Sequence, residues 1–371
     1  MKPSIAIAMS GGVDSLVAAY LLKNRGHSIF GLHFITGYEK NRYIREQLGN
    51  ETDHDGHKAG DCIDVTDMLT NHPIHLLANQ LNIPLYLADC RHLFQRKVVD
   101  YFCRTYAAGL TPNPCLVCNP SIKFGSLFTF ACKKGASALA TGHYARVLKG
   151  ADNRYHLLKG IDTAKDQSYF LAFLNQEQLS RAIFPLGVMT KDAVYQLARE
   201  KNLSPIVSDE SQDICFIKRQ SYGDFLVKDG NITPTDGPII NLNGNVIGIH
   251  HGLHLFTIGQ RKGINCPAAE PYYVVDIDPV KNQLTVGAKT DLLTMKCRLE
   301  DINWIQKPVH TPCELETKLR YRHRAVPATL QFDENQRGVL YFQSPQASVT
   351  PGQGAVFFQG QEVMGGGWIS R

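Results

Sequence analysis

The chain has 371 residues, of which 43% are hydrophobic and 20% charged, and 39 Lys and Arg stand against 34 Asp and Glu. This length predicts two or three domains. The composition is typical of a soluble globular protein, and the small basic excess permits a nucleic-acid partner without requiring one. The longest apolar run near the start is only Ile5–Met9. We therefore expect no signal peptide, no membrane span and a cytoplasmic location, where ten cysteines would not form a disulfide framework.

The first 200 or so residues predict alternating strands and helices. Ile5–Met9 is a short apolar run, a helical pattern continues to Arg25, and a second apolar run follows at Ile29–Phe34. This order is typical of a βαβ unit in a parallel sheet. Similar alternation returns at Ile83–Leu87, Leu127–Lys133 and Leu139–Ala140, residues 37–60 read as a loop, and Thr190 reads as the N-cap of a helix running to about Lys201.

After about Asn231 the pattern changes to short strands separated by turns. Strands with period-2 alternation are predicted at Val246–Ile249, Tyr272–Ile277, Leu284–Val286, Val339–Phe342 and Ala355–Phe358. The sequence thus predicts an α/β domain over 1–213, a small β-rich domain over 214–290 and a C-terminal β-barrel over 291–371.

A glycine-rich loop, Ser10–Ser15, lies between the first strand and the first helix. Glycines let the backbone approach a ligand closely, and a helix N-terminus directs free N–H groups at phosphate. Asp14 is a candidate ligand for magnesium. Because no Gly-Lys-Ser/Thr follows, this is not a kinase-type loop, although glycines that only turn a strand into a helix would give the same pattern. The segment resembles the pyrophosphate loop of the N-type ATP pyrophosphatases, which implies adenylation.

Two further segments contain cysteines between polar and apolar neighbours. In the first, prolines hold a rigid loop before Cys115 and Cys118, a spacing that also suits half of a zinc site. In the second, Cys215 follows a polar loop and precedes an apolar pair, where an inert core cysteine is equally compatible.

Taken together, the motifs resemble the tRNA-specific 2-thiouridylase family over almost the whole chain. The residues that carry the resemblance, in chain order, are the pyrophosphate loop, Asn113–Asn119, Thr141–Tyr144, Lys165–Phe170, Ile214–Ile217, Gly259–Gly263, Tyr272–Asp276, Arg320–Arg322, Pro351–Gln353 and Gly365–Gly367. The resemblance implies a pyrophosphatase fold of the adenine nucleotide α-hydrolase type in the first domain. It also implies ATP with Mg²⁺ as cofactors and the wobble uridine of the tRNAs for Lys, Glu and Gln as substrate.

The resemblance also assigns roles to individual residues. Cys118 matches the nucleophile, and Cys215 matches the cysteine that carries a persulfide, so a Cys118–Cys215 disulfide would close during sulfur transfer. The positions that match ATP contacts are Ala8, Met9, Ser10, Gly11, Gly12, Val13, Asp14, Ser15, Phe34 and Gly142. The positions that match contacts to the target base or the tRNA are Asn113, Pro114, Cys115, His143, Lys165, Asp166, Gln167, Arg320, Tyr321 and Gln353. The implied partners are tRNA and a sulfur-relay protein or cysteine desulfurase that donates persulfide, and a monomer is expected.

Residue chemistry agrees with this assignment. Adenylation converts a poor leaving oxygen into AMP, and a thiolate or persulfide is the protein's best soft nucleophile. Such a thiol needs a lowered pKa, which nearby helix N-termini would provide. Lys318, Arg320, Arg322 and Arg324 alternate with less charged residues, which predicts a basic strand face for the RNA.

One position departs from the family pattern, since members carry Asp where this chain has Cys115. Cys115, Cys118 and Cys215 would alternatively ligate three irons of an iron–sulfur cluster, as in an iron–sulfur-dependent tRNA thiolase. Two rival functions are an amidating synthetase of the same fold and a non-catalytic tRNA-binding protein. The first needs no paired cysteines, and the second needs no intact phosphate loop.

Overall fold

The computed structural model describes residues 4–39, 44, 47–48, 61–207, 214–217, 221–267 and 270–371. Its contacts divide the chain into two compact units, each built from several chain segments. The first contains Met1–Val98, Cys115–Phe216 and Gln361–Val363, and the second contains Val99–Pro114, Ile217–Gly360 and Met364–Arg371. Most of the predicted loop over 37–60 lies outside the described residues, and the three predicted domain boundaries stay predictions.

A six-stranded sheet forms the centre of the first unit. Its strands are β1 (Ser4–Ala8), β2 (Ile29–Ile35), β3 (Ile63–Asp64), β4 (Leu85–Asp89), β5 (Ala136–Ala140) and β8 (Ala182–Ile183), in the order β3-β4-β2-β1-β5-β8. All neighbours are parallel except β3 and β4. The same unit contains a hairpin of β6 (Ala145–Lys149) and β7 (Tyr155–Lys159). The predicted parallel α/β domain is therefore confirmed.

The helices of this unit include the two predicted after the glycine-rich loop and after Thr190. The unit contains α1 (Val13–Asn24), α2 (His75–Leu81), α3 (Arg91–Phe94) with a π-helical continuation (Gln95–Val99), α5 (Pro114–Cys118), a second π-helical stretch (Asn119–Leu127), α6 (Phe128–Lys133), α7 (Gln176–Ser180) and α8 (Lys191–Glu200). Gly26 follows the C-cap of helix α1, and its φ of +78° suits the turn that closes a helix. The predicted cap at Thr190 is confirmed, because its side chain accepts a hydrogen bond from the Ala193 amide at 3.3 Å.

One continuous helical stretch, Pro114–Lys133, is long and apolar enough by length and composition to cross a membrane, with a mean hydropathy of 1.2. Half of it is buried inside the protein. That burial is typical of a core helix, because a membrane-spanning helix would direct its apolar side chains outward to lipid.

The second unit is built mainly from strands, as predicted. It contains α4 (Asp100–Ala107), α9 (Tyr222–Lys228) and a four-stranded sheet of β9 (Gly237–Ile240), β10 (Val246–His250), β11 (Tyr273–Asp278) and β12 (Gln283–Gly287), in the order β10-β9-β12-β11. This sheet has its own small core, which includes Ile239, Val274, Leu284 and Val286.

Six antiparallel strands then form a closed barrel. They are β13 (Leu293–Trp304), β14 (Cys313–Lys318), β15 (Val326–Phe332), β16 (Gly338–Ala347), β17 (Gly354–Gln359) and β18 (Glu362–Ser370). The strand order is β13-β16-β15-β14-β17-β18, and pairing of β13 with β18 closes the ring. Apolar side chains such as Leu330, Leu340 and Phe357 fill the barrel. The predicted C-terminal β-barrel is confirmed.

Candidate active site

The candidate nucleotide site begins at the carboxyl end of β1. Strand β1 lies in the middle of the sheet, between β2 and β5. After β1 the chain continues to β2 on one side of the sheet, and after β5 it continues to β8 on the other side. Ligands of open α/β sheets bind in the crevice at such a switch point. Two predicted ATP contacts, Ala8 and Met9, lie at this end of β1, and Phe34 lies near the corresponding end of β2.

The loop after β1 is held in shape by its own hydroxyl groups. The Ser15 hydroxyl donates to the Gly12 carbonyl oxygen at 2.9 Å and accepts from the Ser10 amide at 3.2 Å. Gly11 has a φ of +95°, and Gly12 is the N-cap of α1 without a side-chain capping bond. The first amides of α1 are therefore not used by a cap, which is the arrangement that binds phosphate at a helix N-terminus.

Two segments that are distant in sequence pack against this loop. A Cβ on Gly142 would lie 3.0 Å from both the Asp14 carbonyl carbon and the Ser15 nitrogen. On the other side, the amides of Ile206 and Val207 donate to the Gly11 carbonyl oxygen at 2.9 and 3.1 Å. Gly142 is thus required by close packing on the loop backbone, and the chain leading toward Cys215 starts beside the loop.

Asp14 is engaged by a cation and a hydroxyl group. Lys191 Nζ lies 2.8 Å from both carboxylate oxygens, and the Tyr144 hydroxyl donates to Oδ1 at 2.7 Å. Only one lone pair of the carboxylate is left, and an ammonium group in contact would repel a divalent cation. The residues present therefore do not fit magnesium coordinated by Asp14, contrary to the sequence-based expectation.

Both cysteines of the first segment lie on the long helix that starts at Pro114. Cys115 is partly exposed and Cys118, the last residue of α5, is buried with 8% exposure. The next residue, Asn119, anchors the helix by donating from Nδ2 to the Phe170 carbonyl oxygen at 2.8 Å. Cys215 is exposed and lies in a turn of the same unit. A charge on Cys215 raises the pKa of both helix cysteines, so the three sulfur atoms lie within electrostatic range of one another.

The pKa of Cys118, the predicted nucleophile, is raised in this structure. Burial raises the pKa of the Cys118 thiol to about 12 and that of Cys115 to about 11, while the positive charge of Lys123 opposes both shifts. The expected lowering by a helix N-terminus is wrong, because Cys118 is followed directly by another helical stretch and does not start one. Lys123 is a site residue that the sequence analysis did not assign. It lies five residues after Cys118 in a π-helical stretch, whose i to i+5 spacing places it about one turn away.

Alkylation of Cys118 by iodoacetamide should therefore rise steeply with pH. Below a pKa of about 12 the thiolate fraction grows roughly tenfold for each pH unit, so the rate should rise about a hundredfold from pH 7 to pH 9. Lys123→Met should slow the reaction at each pH and Lys123→Arg should not, because only the first removes the charge that favours the thiolate. Peptide mass spectrometry gives the rate at Cys118. A rate that levels off below pH 9 would contradict the raised pKa.

The described residues include no group of three or more His, Cys, Asp or Glu side chains placed to hold a metal ion. Cys115, Cys118 and Cys215 do not form such a group, so their arrangement does not fit an iron–sulfur cluster. It also gives no zinc site at the Cys-x-x-Cys pair. The disulfide in the described part of the chain joins Cys62 to Cys90, whereas Cys118 and Cys215 are not disulfide-bonded.

The predicted tRNA contacts in the first unit differ in burial and in hydrogen bonding. The His143 Nδ1 lies 2.7 Å from the Thr141 hydroxyl, and burial together with the charge of Lys123 holds the pKa of His143 well below its usual value, so the ring is neutral. Asp166 is buried, and its carboxylate accepts hydrogen bonds from the Gly160 amide and from the amide and hydroxyl of Ser168. Asp166 thus shapes the turn, and its neighbours Lys165 and Gln167 are more exposed.

In the second unit, Gln353, a predicted tRNA contact, hydrogen-bonds to Asn113, a predicted contact of the target base. Gln353 donates from Nε2 to the Pro112 carbonyl oxygen at 2.9 Å, and its Oε1 accepts from Asn113 Nδ2 at 3.4 Å. Gln353 therefore holds the backbone and side chain of the segment that leads through Pro114 to the cysteines.

The predicted basic strand is wrong. Strand β14 ends at Lys318 and β15 begins at Val326, so the intervening residues form turns. Arg320, Arg322 and Arg324 are exposed, and Tyr321 is half-buried. These three arginines lie on the β14–β15 connection, defined here as residues 319–325. A strand would hold the like charges on one face, where they repel one another, whereas exposed turns let them move apart.

Comparison with known proteins agrees with this arrangement. A family model described as the tRNA methyl transferase HUP domain matches residues 3–219, one described as the tRNA methyl transferase PRC-barrel domain matches 223–288, and one described as the aminomethyltransferase beta-barrel domain matches 294–369.

Several curated relatives named tRNA-specific 2-thiouridylase MnmA are similar to the chain over its full length. The relative from Desulfosudis oleivorans is 46% identical over 99% of this chain and 95% of its own length. Those from Geobacter metallireducens and Synechocystis sp. are 42% and 39% identical, and both alignments cover 97% of the relative. With a pyrophosphate-type loop, placed cysteines and full-length relatives, the chain belongs to the tRNA-specific 2-thiouridylase family.

Proposed function

We propose that this chain is an ATP-dependent tRNA-uridine 2-sulfurtransferase that acts on the wobble uridine of the tRNAs for Lys, Glu and Gln. The observation that supports it most is that an uncapped phosphate loop and two cysteines outside any disulfide, Cys118 and Cys215, belong to one compact unit. The chain's similarity to curated 2-thiouridylases supports the same reaction.

The first step activates the base. The uridine C2 oxygen attacks the α-phosphorus of ATP, and the bond from that phosphorus to the bridging oxygen breaks to release pyrophosphate. The amides at the start of α1 and the Ser10 and Ser15 hydroxyls would bind the phosphates. Magnesium would enter with ATP on the phosphate oxygens, and we assign it no ligand at Asp14.

The second step replaces oxygen with sulfur. Cys215 carries the outer sulfur of a persulfide, and the Cys118 thiolate attacks its inner sulfur, which forms a Cys118–Cys215 disulfide and releases hydrosulfide. Hydrosulfide adds to C2, AMP leaves with the former C2 oxygen, and a cellular thiol reductant must then reduce the disulfide. Because Cys118 is buried and its pKa is raised, its thiolate would form when substrate or a base beside it removes the proton.

Neutralising Arg320 and Arg322 together should weaken tRNA binding at low salt and reduce the slope of log affinity against log salt by about one to two units, since each lost phosphate contact removes about one. Filter binding between roughly 50 and 200 mM salt measures the slope. Neutralising Lys281 and Lys289, also of the second unit, is the matched control. An unchanged slope in the Arg variant would show that the β14–β15 connection does not contact RNA.

We further propose that the protein works in the cytoplasm as a monomer and receives persulfide sulfur from a relay protein or a cysteine desulfurase. The experiment that tests the function supplies purified protein, an unmodified tRNA transcript, ATP and a persulfide donor, followed by nucleoside mass spectrometry. We expect 2-thiouridine only when ATP and a tRNA for Lys, Glu or Gln are both present. Pyrophosphate release that depends on a small carboxylic acid and ammonia instead of tRNA would favour an amidating synthetase.

A further inference from the structure

Lys191 is a buried cation in the candidate ATP site that no motif assigned. Its side chain is only 7% exposed, whereas Asp14, with which it pairs, is 32% exposed. Lysine is almost never buried unless it is paired, and its ammonium group here also lies 4.8 Å from the centre of the Tyr195 ring. The residue therefore occupies a site that is specific for a cation.

The position of Lys191 is electrostatically unfavourable for its own helix. It is the first residue of α8, where the helix dipole disfavours a positive charge. Its amide donates to the Asp162 carboxylate at 2.9 Å, which fixes the start of the helix independently of the ammonium group. The positive charge therefore does not stabilise α8. It pairs instead with the Asp14 carboxylate.

Lys191 neutralises the negative charge of Asp14, which would otherwise lie next to the phosphates of ATP. Its carboxylate lies in the first turn of α1, beside the amides that would bind the phosphates of ATP. An uncompensated carboxylate there would repel a polyphosphate. With Lys191 Nζ at 2.8 Å from both oxygens and the Tyr144 hydroxyl at 2.7 Å from one, the negative charge is neutralised and the carboxylate orientation is fixed.

We propose that Lys191 is a positioning residue of the ATP site, which neutralises and orients Asp14 so that the phosphate loop binds a nucleoside triphosphate without repulsion. This inference rests on the proposed use of ATP. Tyr144 assists as a neutral donor, and its neighbour Gly142 holds the loop backbone, so residues 142–144 and Lys191 together fix the geometry of Asp14.

The test is a double-mutant cycle on the full chain, with ATP binding and steady-state pyrophosphate release as readouts. Lys191→Met should raise the Kd and KM for ATP by about tenfold or more, because a charge next to the phosphates becomes uncompensated. Lys191→Arg should restore most of the affinity. Adding Asp14→Asn to Lys191→Met should recover ATP binding relative to Lys191→Met alone, because the repelling charge is gone. Tyr144→Phe should give a smaller loss in the same direction, and it covers the case that Lys191→Met does not fold.

Each other outcome overturns the inference. A Lys191→Met protein that is less stable but binds ATP like wild type would make the pair merely structural. A loss of ATP binding that Asp14→Asn does not relieve would mean that Lys191 contacts the phosphates itself. Wild-type protein that fails to bind ATP would instead refute the proposed function, so the two failures are distinguishable.

Discussion

Cys118→Ser is expected to reduce 2-thiouridine formation to background while pyrophosphate release with tRNA continues. A serine hydroxyl is a harder nucleophile than a thiol and is not ionised at neutral pH, so it cannot attack a persulfide. Cys215→Ser is expected to give the same loss for a different reason, since it cannot carry the outer sulfur. Nucleoside mass spectrometry and a pyrophosphate assay on the same reactions separate the two steps.

Cys132→Ser is the matched control for these variants. Cys132 belongs to the same unit, is exposed and is not part of a disulfide, but it lies outside the proposed site. It should keep full activity. Substantial 2-thiouridine formation by the Cys118 or Cys215 variant, with persulfide as the donor, would refute the two-cysteine mechanism.

Gly11→Ala should lower pyrophosphate release by about a hundredfold, because a displacement of roughly 1 Å in a site that positions reacting groups has an effect of that size. The φ of Gly11 is +95°, which side chains rarely adopt, and an added Cβ would lie 3.1 Å from Val207. Relief of the strained φ and of the Val207 contact would shift the loop together with the amides that we propose bind phosphate.

Gly135→Ala separates this local effect from a general loss of stability. Gly135 has a similar φ of +88° in the same unit, with nothing within 4 Å of an added Cβ. Both variants should lose a comparable free energy of unfolding, on the order of 1–3 kcal/mol for the strained backbone. Only Gly11→Ala should lose pyrophosphate release. Equal rates of pyrophosphate release by the two variants would show that the loop does not bind the phosphates.

The local parts of the site could be predicted from the sequence, because they depend on neighbouring residues. The loop between β1 and α1 follows from an apolar run, glycines and a helical pattern within about 20 positions. The contacts that orient the Asp14 carboxylate could not be predicted in this way, because its partners are distant in sequence. Lys191 and Tyr144 are 177 and 130 positions away, and only the fold of the first unit brings them together.

Two sequence-based predictions are wrong for physical reasons. Alternating charges at 318–324 resembled a strand, but period-2 spacing says nothing about backbone pairing, and the pairing of β14 stops at Lys318. The expected lowering of the Cys118 pKa relied on a helix N-terminus, whereas the helix continues past this residue and burial dominates. Burial and pairing both depend on tertiary packing, which a local pattern does not encode.

The proposed reaction requires that the C2 oxygen of uridine is adenylated and leaves with AMP. Its most direct test is a single turnover with tRNA whose target uridine carries ¹⁸O at C2, followed by mass spectrometry of the AMP and of the nucleosides. We predict one ¹⁸O atom in the phosphate group of AMP for each 2-thiouridine formed. Unlabelled AMP accompanied by 2-thiouridine would contradict the proposed reaction, because the oxygen would then have left without passing through the adenylate.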